Sequence, residues 1–243
     1  MIHPIGYIPI APMGYGLWAL FFWVRGDIVV RVIAFIDGFN LYHAIHDLGQ
    51  NHLKWLDLSK LVRHFAPSPD YKIKDIFYFS AFATWRKKAV QRHRKYVKAL
   101  NAKNVTTVMA KFKTKDRSCF KCGHKWIDHE EKETDVNIAL YMLREGYRDS
   151  CDRFILISAD SDLSPAVRML NKEFPDKNVR IIFPFARGYS WDLVHAVGGK
   201  KNIRQLKRIH LERSLIEKEV RSDTGELIIR PTEYDPPTNN MRE

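Results

Sequence analysis

The stretch from Val32 to Asn40 constrains the fold more than any other part of the chain. It begins with a run of apolar, partly β-branched residues, Val32-Ile33-Ala34-Phe35-Ile36, which is typical of a strand buried on both faces. It ends on Asp37-Gly38, so a carboxylate stands at the carboxyl end of the strand and a glycine permits the sharp turn that follows. Ligands of open α/β sheets bind at that edge, and we therefore expect Asp37 to lie in a functional site.

Strand-like and helix-like segments alternate along the chain after this stretch. The alternation predicts an α/β fold, a three-layer sandwich whose central, mostly parallel sheet is flanked by helices. Right-handed crossovers then place the carboxyl ends of the strands at one edge of the sheet. Hydrophobic periodicity predicts further strands over 73–79, 105–109, 153–158 and 179–183, and helices over 41–48, 57–65 (capped by Asp57), 84–100, 133–147, 163–171 and 190–197.

The length of 243 residues suits one domain with appendages, since domains usually have about 100–200 residues. We expect the α/β domain to span residues 30–205, with an insertion over 110–132 that has no clear periodicity. Residues 206–243 are expected to form a charged helix up to Arg213 and then a disordered tail, because this part is polar and contains three prolines near its end.

Residues 1–29 form an apolar extension that differs from the rest of the chain. No residue from Pro4 to Val24 is charged, but prolines and glycines interrupt the run, and a transmembrane helix needs about 20 apolar residues. The segment also lacks the basic start and the cleavage site of a signal peptide. We favour an upstream extension that results from a mis-called start codon, and the alternatives are a peripheral membrane anchor and a spanning helix.

The charge and the cysteine content narrow the class of protein. A formal net charge of +12 favours an anionic partner, either nucleic acid or a membrane surface. The alternative is a basic protein whose charge serves only its solubility. Three cysteines, an odd number, do not make the disulfide framework of a secreted protein, so we expect a cytoplasmic location.

Four carboxylates are predicted to meet at the carboxyl edge of the sheet. Asp37 ends the first strand, Asp160 and Asp162 follow the fourth, and Asp135 opens the helix after the third strand and the insertion. Like charges repel unless a cation neutralises them, and carboxylate oxygens suit Mg²⁺ or Mn²⁺. Such a site supports hydrolysis of a phosphodiester, with Asn40, one helical turn beyond Asp37, positioning water or phosphate.

Each of these residues also has a purely structural interpretation. Asp135 suits the first turn of a helix, Asp162 suits a cap for a helix that starts at Leu163, and Asn40 suits an ordinary N-cap. Because Asp37 and Asp160 follow two of the most apolar strands, we favour the metal site for the group as a whole.

Three motifs, in order along the chain, carry a resemblance to a known family. They are Phe35-Ile36-Asp37-Gly38-Phe39-Asn40-Leu41, Glu131-Lys132-Glu133-Thr134-Asp135-Val136-Asn137 and Ile157-Ser158-Ala159-Asp160-Ser161-Asp162-Leu163. Together they resemble the NYN domain family, in particular its LabA-like members, over roughly residues 31–200. The resemblance implies a PIN-like (Rossmann-like) nuclease fold and a Mg²⁺- or Mn²⁺-dependent endoribonuclease. The positions of its acidic site correspond to Asp37, Asn40, Asp135, Asp160 and Asp162.

The middle motif departs from the family pattern. Many relatives look like Asp-Val-x-x-Ala-x-Asp there, with a second acid six residues after the first, and Tyr141 occupies that position here. The loss of this acid would weaken one metal site or shift reliance to Asp162 and Glu133. Catalysis therefore follows less directly from the resemblance than the fold does.

The insertion contains a Cys-x-x-Cys turn, which is half of a structural zinc motif. Cys119 and Cys122 would supply two thiolates, and His124 and His129 would supply the other two ligands of a tetrahedral site. The alternative is a turn with two thiols that bind no metal.

Basic residues beside the insertion and on the helix predicted over 84–100 are candidate phosphate contacts. Trp85, Trp126 and Tyr96 are candidates for stacking on bases. The predicted nucleic-acid-binding residues are Arg86, Lys87, Lys111, Lys113, Lys115 and Arg117.

These observations predict a metal-dependent endoribonuclease that acts on RNA and uses no small-molecule cofactor. The main alternative is an RNA-binding module that has the same fold but little or no turnover, which Tyr141 makes credible. A third interpretation is a small-molecule phosphatase or nucleotide hydrolase that uses the same acids. The basic surface disfavours it, because a small substrate would not need so much positive charge.

Overall fold

The computed structural model describes residues 29–185 and 187–237, and within them a seven-stranded sheet forms the centre of the molecule. The strands in chain order are β1 (Val30–Asp37), β2 (Tyr71–Ala81), β3 (Thr106–Ser118), β4 (Lys125–Lys132), β5 (Arg153–Ile157), β6 (Asn178–Phe183) and β7 (Ile203–Gln205). Their order across the sheet is β4-β3-β2-β1-β5-β6-β7. Neighbouring strands are parallel except for β3 and β4.

Helices cover both faces of this sheet. In chain order they are α1 (Gly38–Asp47), α2 (Leu58–Arg63), α3 (Lys87–Asn101), α4 (Thr134–Tyr147), α5 (Ser164–Glu173), α6 (Trp191–Ala196) and α7 (Arg208–Glu212). The first three pack on one face and the next three on the other, which gives the three layers. As predicted, Asp57 caps α2, because its Oδ1 accepts the N–H groups of Ser59 and Lys60 at 3.0 Å each. The predicted α/β fold is therefore confirmed.

Strand β1 lies at the middle of the sheet because its side chains are apolar on both faces. Val32, Ala34 and Ile36 point into the core beneath α1 to α3, and Ile33 and Phe35 point into the core beneath α4 to α6. Successive side chains of a strand alternate between its faces. A run of apolar residues without polar interruptions is therefore stable only where both faces of the strand are buried. The residue at its carboxyl end is Asp37.

The insertion over 110–132, for which hydrophobic periodicity predicted no element, has regular secondary structure. It belongs to a hairpin in which β3 and β4 pair from Lys111 with Lys132 to Ser118 with Lys125. Hydrophobic periodicity does not reveal the hairpin, because charged side chains occupy both of its faces. Arg117 pairs with Asp128 at 3.3 Å and with Glu130 at 2.8 Å across the two strands.

The prediction of a disordered tail is wrong for the described residues up to 237. A two-stranded hairpin, β8 (Glu219–Arg221) and β9 (Leu227–Ile229), follows α7. Ile216, Val220 and Ile228 are buried in the core beneath α1 to α3. The sequence suggested disorder because the apolar residues of this part form only short groups between charged ones, so they do not build a periodic run.

The predicted apolar extension lies outside the described residues, except for Val29. In the part of the chain that the structure describes, no helix is long and apolar enough to cross a membrane.

Candidate metal centre

Asp37 ends β1 and at the same time begins α1. Its Oδ1 accepts the N–H of Asn40 at 2.9 Å, so Asp37, and not Asn40, is the N-cap of the helix. Gly38 makes this tight junction possible, because a Cβ there would lie 2.5 Å from the carbonyl oxygen of Phe79 and 2.6 Å from the ring of Tyr78. The helix therefore begins three residues earlier than the periodicity predicted.

The other oxygen of Asp37 is held by Ser158, which directly follows β5. The Ser158 hydroxyl donates to Asp37 Oδ2 at 2.9 Å and accepts the N–H of Asp160 at 3.0 Å. Parallel pairing of β1 with β5 brings these segments together. Ser158 thus links two acids of the site, and we did not single it out from the sequence.

Asp135 enters the site from the first turn of α4. The turn before this helix is shaped by Glu131, which accepts the N–H of Thr134 at 3.1 Å and also its hydroxyl hydrogen. Glu133 has a left-handed backbone with φ of 83° and makes no side-chain cap. The turn itself therefore directs the start of α4 toward the edge of the sheet.

The carboxylates of Asp37, Asp135 and Asp160 converge. One oxygen from each lies within 4.8 Å of the other two, a spacing that one cation can bridge. Burial raises the pKa of Asp37 to about 6, against the hydrogen bonds that lower it, and Asp160 adds to the increase. Burial likewise raises the pKa of Asp135 to about 6, and repulsion from Asp160 and Asp37 adds to it. Negative charge from three carboxylates is thus concentrated at one point, and the all-oxygen donor set fits Mg²⁺ or Mn²⁺.

Two other predicted site residues lie at the margin of this trio. Asp162 is exposed and donates its N–H to Asp160 Oδ1 at 2.9 Å, and its charge contributes to the raised pKa of Asp135. Asn40 lines the site, and its Oδ1 accepts the N–H of Ala159 at 3.1 Å. That contact ties α1 to the segment after β5 and leaves the amide NH₂ group as the donor that faces a ligand.

The depression around the three acids has a volume of about 340 Å³. Glu131 and Arg187 also line it, and neither was among the predicted site residues. The Arg187 guanidinium lies 3.0 Å from Asp47 Oδ2, which positions a cation at the rim of an acidic site. The only sequence signal for Glu131 was its place in the middle motif.

Tyr141 does not occupy a ligand position in this structure. Its ring packs edge-on against Phe77 and Phe79, with centroids 5.2 and 5.5 Å apart, and the guanidinium of Arg144 lies 3.9 Å from its centroid. Since six residues of α-helix rise about 9 Å, the side chain sits well below the helix start that carries Asp135.

The four predicted zinc ligands are not assembled. Cys119 and Cys122 lie together at the tip of the β3–β4 hairpin, where N–H groups of Cys122 and Lys121 lower the pKa of the Cys119 thiol. His129 lies along β4, away from the tip, with its ring stacked on Trp85 at 3.7 Å. His124 stacks on Trp126 instead. Among the described residues, only the aspartate trio brings three ligand-type side chains together.

The predicted RNA-contacting residues on β3 are largely engaged by acids. Lys111 pairs with Glu133 at 2.7 Å, Lys115 lies 3.6 Å from Glu130, and Arg117 bridges to β4 as described above. Lys113 and Lys87 are exposed, and Arg86 lines a second cavity beside the acidic site. Acidic partners thus offset much of the positive charge of these predicted contact residues.

The sheet topology and the three carboxylates at its carboxyl edge define an α/β protein with an acidic site of the kind that holds a divalent cation. The family model of the NYN domain matches residues 31–198, which is more than half of the chain. The chain therefore belongs to the NYN domain family, and its fold is nuclease-like, as the resemblance implied.

Among solved structures, the chain resembles the crystal structure of a protein of unknown function from Vibrio parahaemolyticus RIMD 2210633. The two are 18% identical, with a TM-score of 0.52, over 79% of this chain and 100% of the other. At this identity the likeness concerns the fold alone. No curated protein matches the chain.

Proposed function

We propose that this protein is an endoribonuclease that hydrolyses phosphodiester bonds of RNA with Mg²⁺ or Mn²⁺ held by Asp37, Asp135 and Asp160. The convergence of these three carboxylates within 4.8 Å of one another is the observation that carries the proposal. Membership of the NYN domain family, with its nuclease-like fold, supports the choice of RNA as the substrate.

A bound divalent ion would lower the pKa of a coordinated water, orient the phosphate and neutralise developing charge. The chain's own contribution is the placement of ligands. Ser158 and the N–H of Asn40 hold the two oxygens of Asp37, and the N–H of Asp162 holds Asp160. Arg187 at the rim lies where it can meet a phosphate of the substrate.

The second candidate function is an RNA-binding module that has lost turnover. Tyr141 favours it, because this partly buried side chain packs against the core and supplies no further acid. The cleavage assay below separates the two functions.

The proposal is tested with labelled single-stranded RNA and Mn²⁺, using wild type, Asp37→Asn and Asp160→Asn. Loss of a direct ligand should reduce cleavage by more than about 100-fold, because even partners of metal ligands are worth 10–100-fold. Asp176→Asn is the matched control, because Asp176 is exposed and lies outside the site. Thermal unfolding with Mn²⁺ or EDTA gives a second readout, in which the ion should stabilise wild type and not Asp160→Asn.

Cleavage that survives equally in wild type and both ligand variants would reveal a contaminating nuclease and refute the site. Absence of cleavage by wild type, with salt-sensitive RNA binding retained, would establish the binding module instead.

A further inference from the structure

A second cavity, which we call the aromatic cavity, opens beside the acidic site. Its volume of about 500 Å³ lies within the roughly 300–1,000 Å³ of typical small-ligand sites. It is bounded by α1, α3, the carboxyl end of β2 and the β3–β4 hairpin. Phe39, His43 and Glu131 line both this cavity and the depression around the three acids, so one ligand can extend from one into the other.

Flat aromatic surfaces line the aromatic cavity and remain partly open to solvent. Trp85 is 38% exposed and Tyr42 is 42% exposed. Trp85 is fixed by the stacked ring of His129 and by the edge contact of Phe112, with centroids 4.6 Å apart. Rigid, partly open rings of this kind are platforms on which bases stack.

The charge of the aromatic cavity is the opposite of the charge at the acidic site. Lys54, Arg86 and Arg92 line it, whereas its lining carboxylate is Glu131, at the junction of the two cavities. The Lys54 ammonium contacts Nδ1 of His46 at 3.1 Å and Oδ1 of Asn51 at 2.8 Å, and it lies 5.0 Å from the centroid of the Tyr42 ring. Cations in an apolar cavity favour an anionic ligand.

We infer that the aromatic cavity binds one unstacked base of a single-stranded RNA whose adjoining phosphate lies at the acidic site. A base offers a flat face to the partly open ring of Trp85, and the phosphates of its backbone match Lys54 and Arg86. A base inside a duplex is stacked and paired and cannot enter, so the cavity selects single strands. This inference rests on the proposed function, since it assigns a subsite to the same RNA.

The test fills the cavity without touching the acids. Ala89→Phe adds a ring at a lining position of α3, and Gln91→Phe adds the same ring at an exposed position of the same helix. Both are made in full-length Asp160→Asn protein, so that the RNA stays intact during binding. Fluorescence anisotropy with a short labelled single-stranded RNA should show about tenfold weaker binding for Ala89→Phe, because one stacked base is lost. Gln91→Phe should bind within about twofold of the parent.

A second pair examines the platform directly. Trp85→Ala should weaken RNA binding by a similar factor, while Trp191→Ala, at an exposed tryptophan of α6 that lines neither cavity, should not. Thermal unfolding of each variant shows whether its fold is intact, and Mn²⁺ binding in the Asp160-containing versions shows whether the acidic site is.

Undiminished binding by both Ala89→Phe and Trp85→Ala would overturn the inference, as would equal affinity for a blunt duplex of the same sequence. Tighter binding of a nucleoside monophosphate than of the RNA would overturn the RNA assignment. The proposed function is judged separately. If wild type cleaves RNA and these variants bind RNA as tightly as their parent, only the base site is refuted. Impaired binding without any cleavage by wild type refutes only the nuclease.

Discussion

Ser158 shows at the scale of one residue how a neutral side chain sets the geometry of a charged site. Its buried hydroxyl donates to Asp37 and accepts from the N–H of Asp160, so the carboxylate of Asp37 and the backbone of Asp160 share one anchor. A hydroxyl can do this because it both donates and accepts.

Ser158→Ala should lower Mn²⁺ affinity by about 10–100-fold, since it frees the orientation of Asp37. It should also cost about 1–3 kcal/mol of folding free energy, because the N–H of Asp160 loses its acceptor. Calorimetric titration and denaturant unfolding measure the two effects. Ser164→Ala is the control, because the buried Ser164 hydroxyl has no partner among the described residues. Wild-type Mn²⁺ affinity in Ser158→Ala would contradict the anchoring role.

Tyr141 supports a second prediction at this scale. Tyr141→Asp restores the acid of the family pattern, yet it should destabilise the protein by about 2 kcal/mol or more, because it places a charge among Phe77 and Phe79. Tyr141→Phe keeps the ring and should stay within about 0.5 kcal/mol of wild type. Denaturant unfolding decides this, and a stable Tyr141→Asp with increased cleavage would show that the position does reach the metal.

The aspartates of the site could be predicted from the sequence, whereas their supports could not. Strand ends of a parallel sheet share an edge, so the topology alone brings Asp37 near Asp160. The partner of the Ser158 hydroxyl depends on its rotamer and on the register of β1 against β5, neither of which the sequence shows. The same holds for Glu131, which was visible only as part of a motif.

Helix α3 illustrates the scale of a single element. Val90, His93, Val97 and Leu100 recur at spacings of three and four residues, so one face of an otherwise highly charged helix turns inward. His93 therefore lies against Phe82 and Tyr78, and burial lowers the pKa of His93 to about 4.

This burial makes stability depend on pH. Protonation of His93 is disfavoured in the folded state. The stability that the neutral His93 side chain contributes is therefore fully present above the unfolded pKa of about 6.5 and is lost as the pH falls toward 4. The contribution of His93 should drop by about 2 kcal/mol between pH 7 and pH 5. His93→Phe should remove that dependence, whereas His124→Phe on the exposed hairpin tip should keep it. Parallel pH courses for wild type and His93→Phe would disprove the assignment.

The elements that the sequence revealed were those with one dominant period. β1, β5 and β6 contain unbroken apolar runs over 32–36, 154–157 and 181–183, and such runs are typical of strands buried on two faces. Strand β4 has no such signal, because its side chains form ion pairs with β3 and face solvent. The pairing of β4 depends on the neighbouring strand β3, and the pattern of residues within β4 does not show it.

At the scale of the whole molecule, the C-terminal segment is part of the domain. The backbone of Asp57 donates to Ser214 at 2.7 Å, and Ile216 donates to Trp55 at 3.0 Å, so the segment is hydrogen-bonded to the chain just before α2. Glu217 pairs with Lys60 at 2.8 Å and with Lys103 at 2.9 Å, and these cations lower the pKa of Glu217 to about 2.

Ile228→Ala tests this packing. Ile228 is 4% exposed and its neighbour Ile229 is 42% exposed. Truncation of the buried side chain should therefore cost about 2–4 kcal/mol, while Ile229→Ala should change stability by less than about 0.5 kcal/mol. Denaturant unfolding compares them, and equal stabilities would mean that the segment is not packed in solution.

Because β1 pairs with β5, the acidic site is assembled from segments that are synthesised at different times. Asp37 and Ser158 share a hydrogen bond although 121 positions separate them. A ribosome therefore completes β1, β2 and the β3–β4 hairpin well before the third aspartate exists. The nascent chain carries an unfinished acidic site throughout that interval, which would keep the proposed nuclease inert toward the message from which it is being translated.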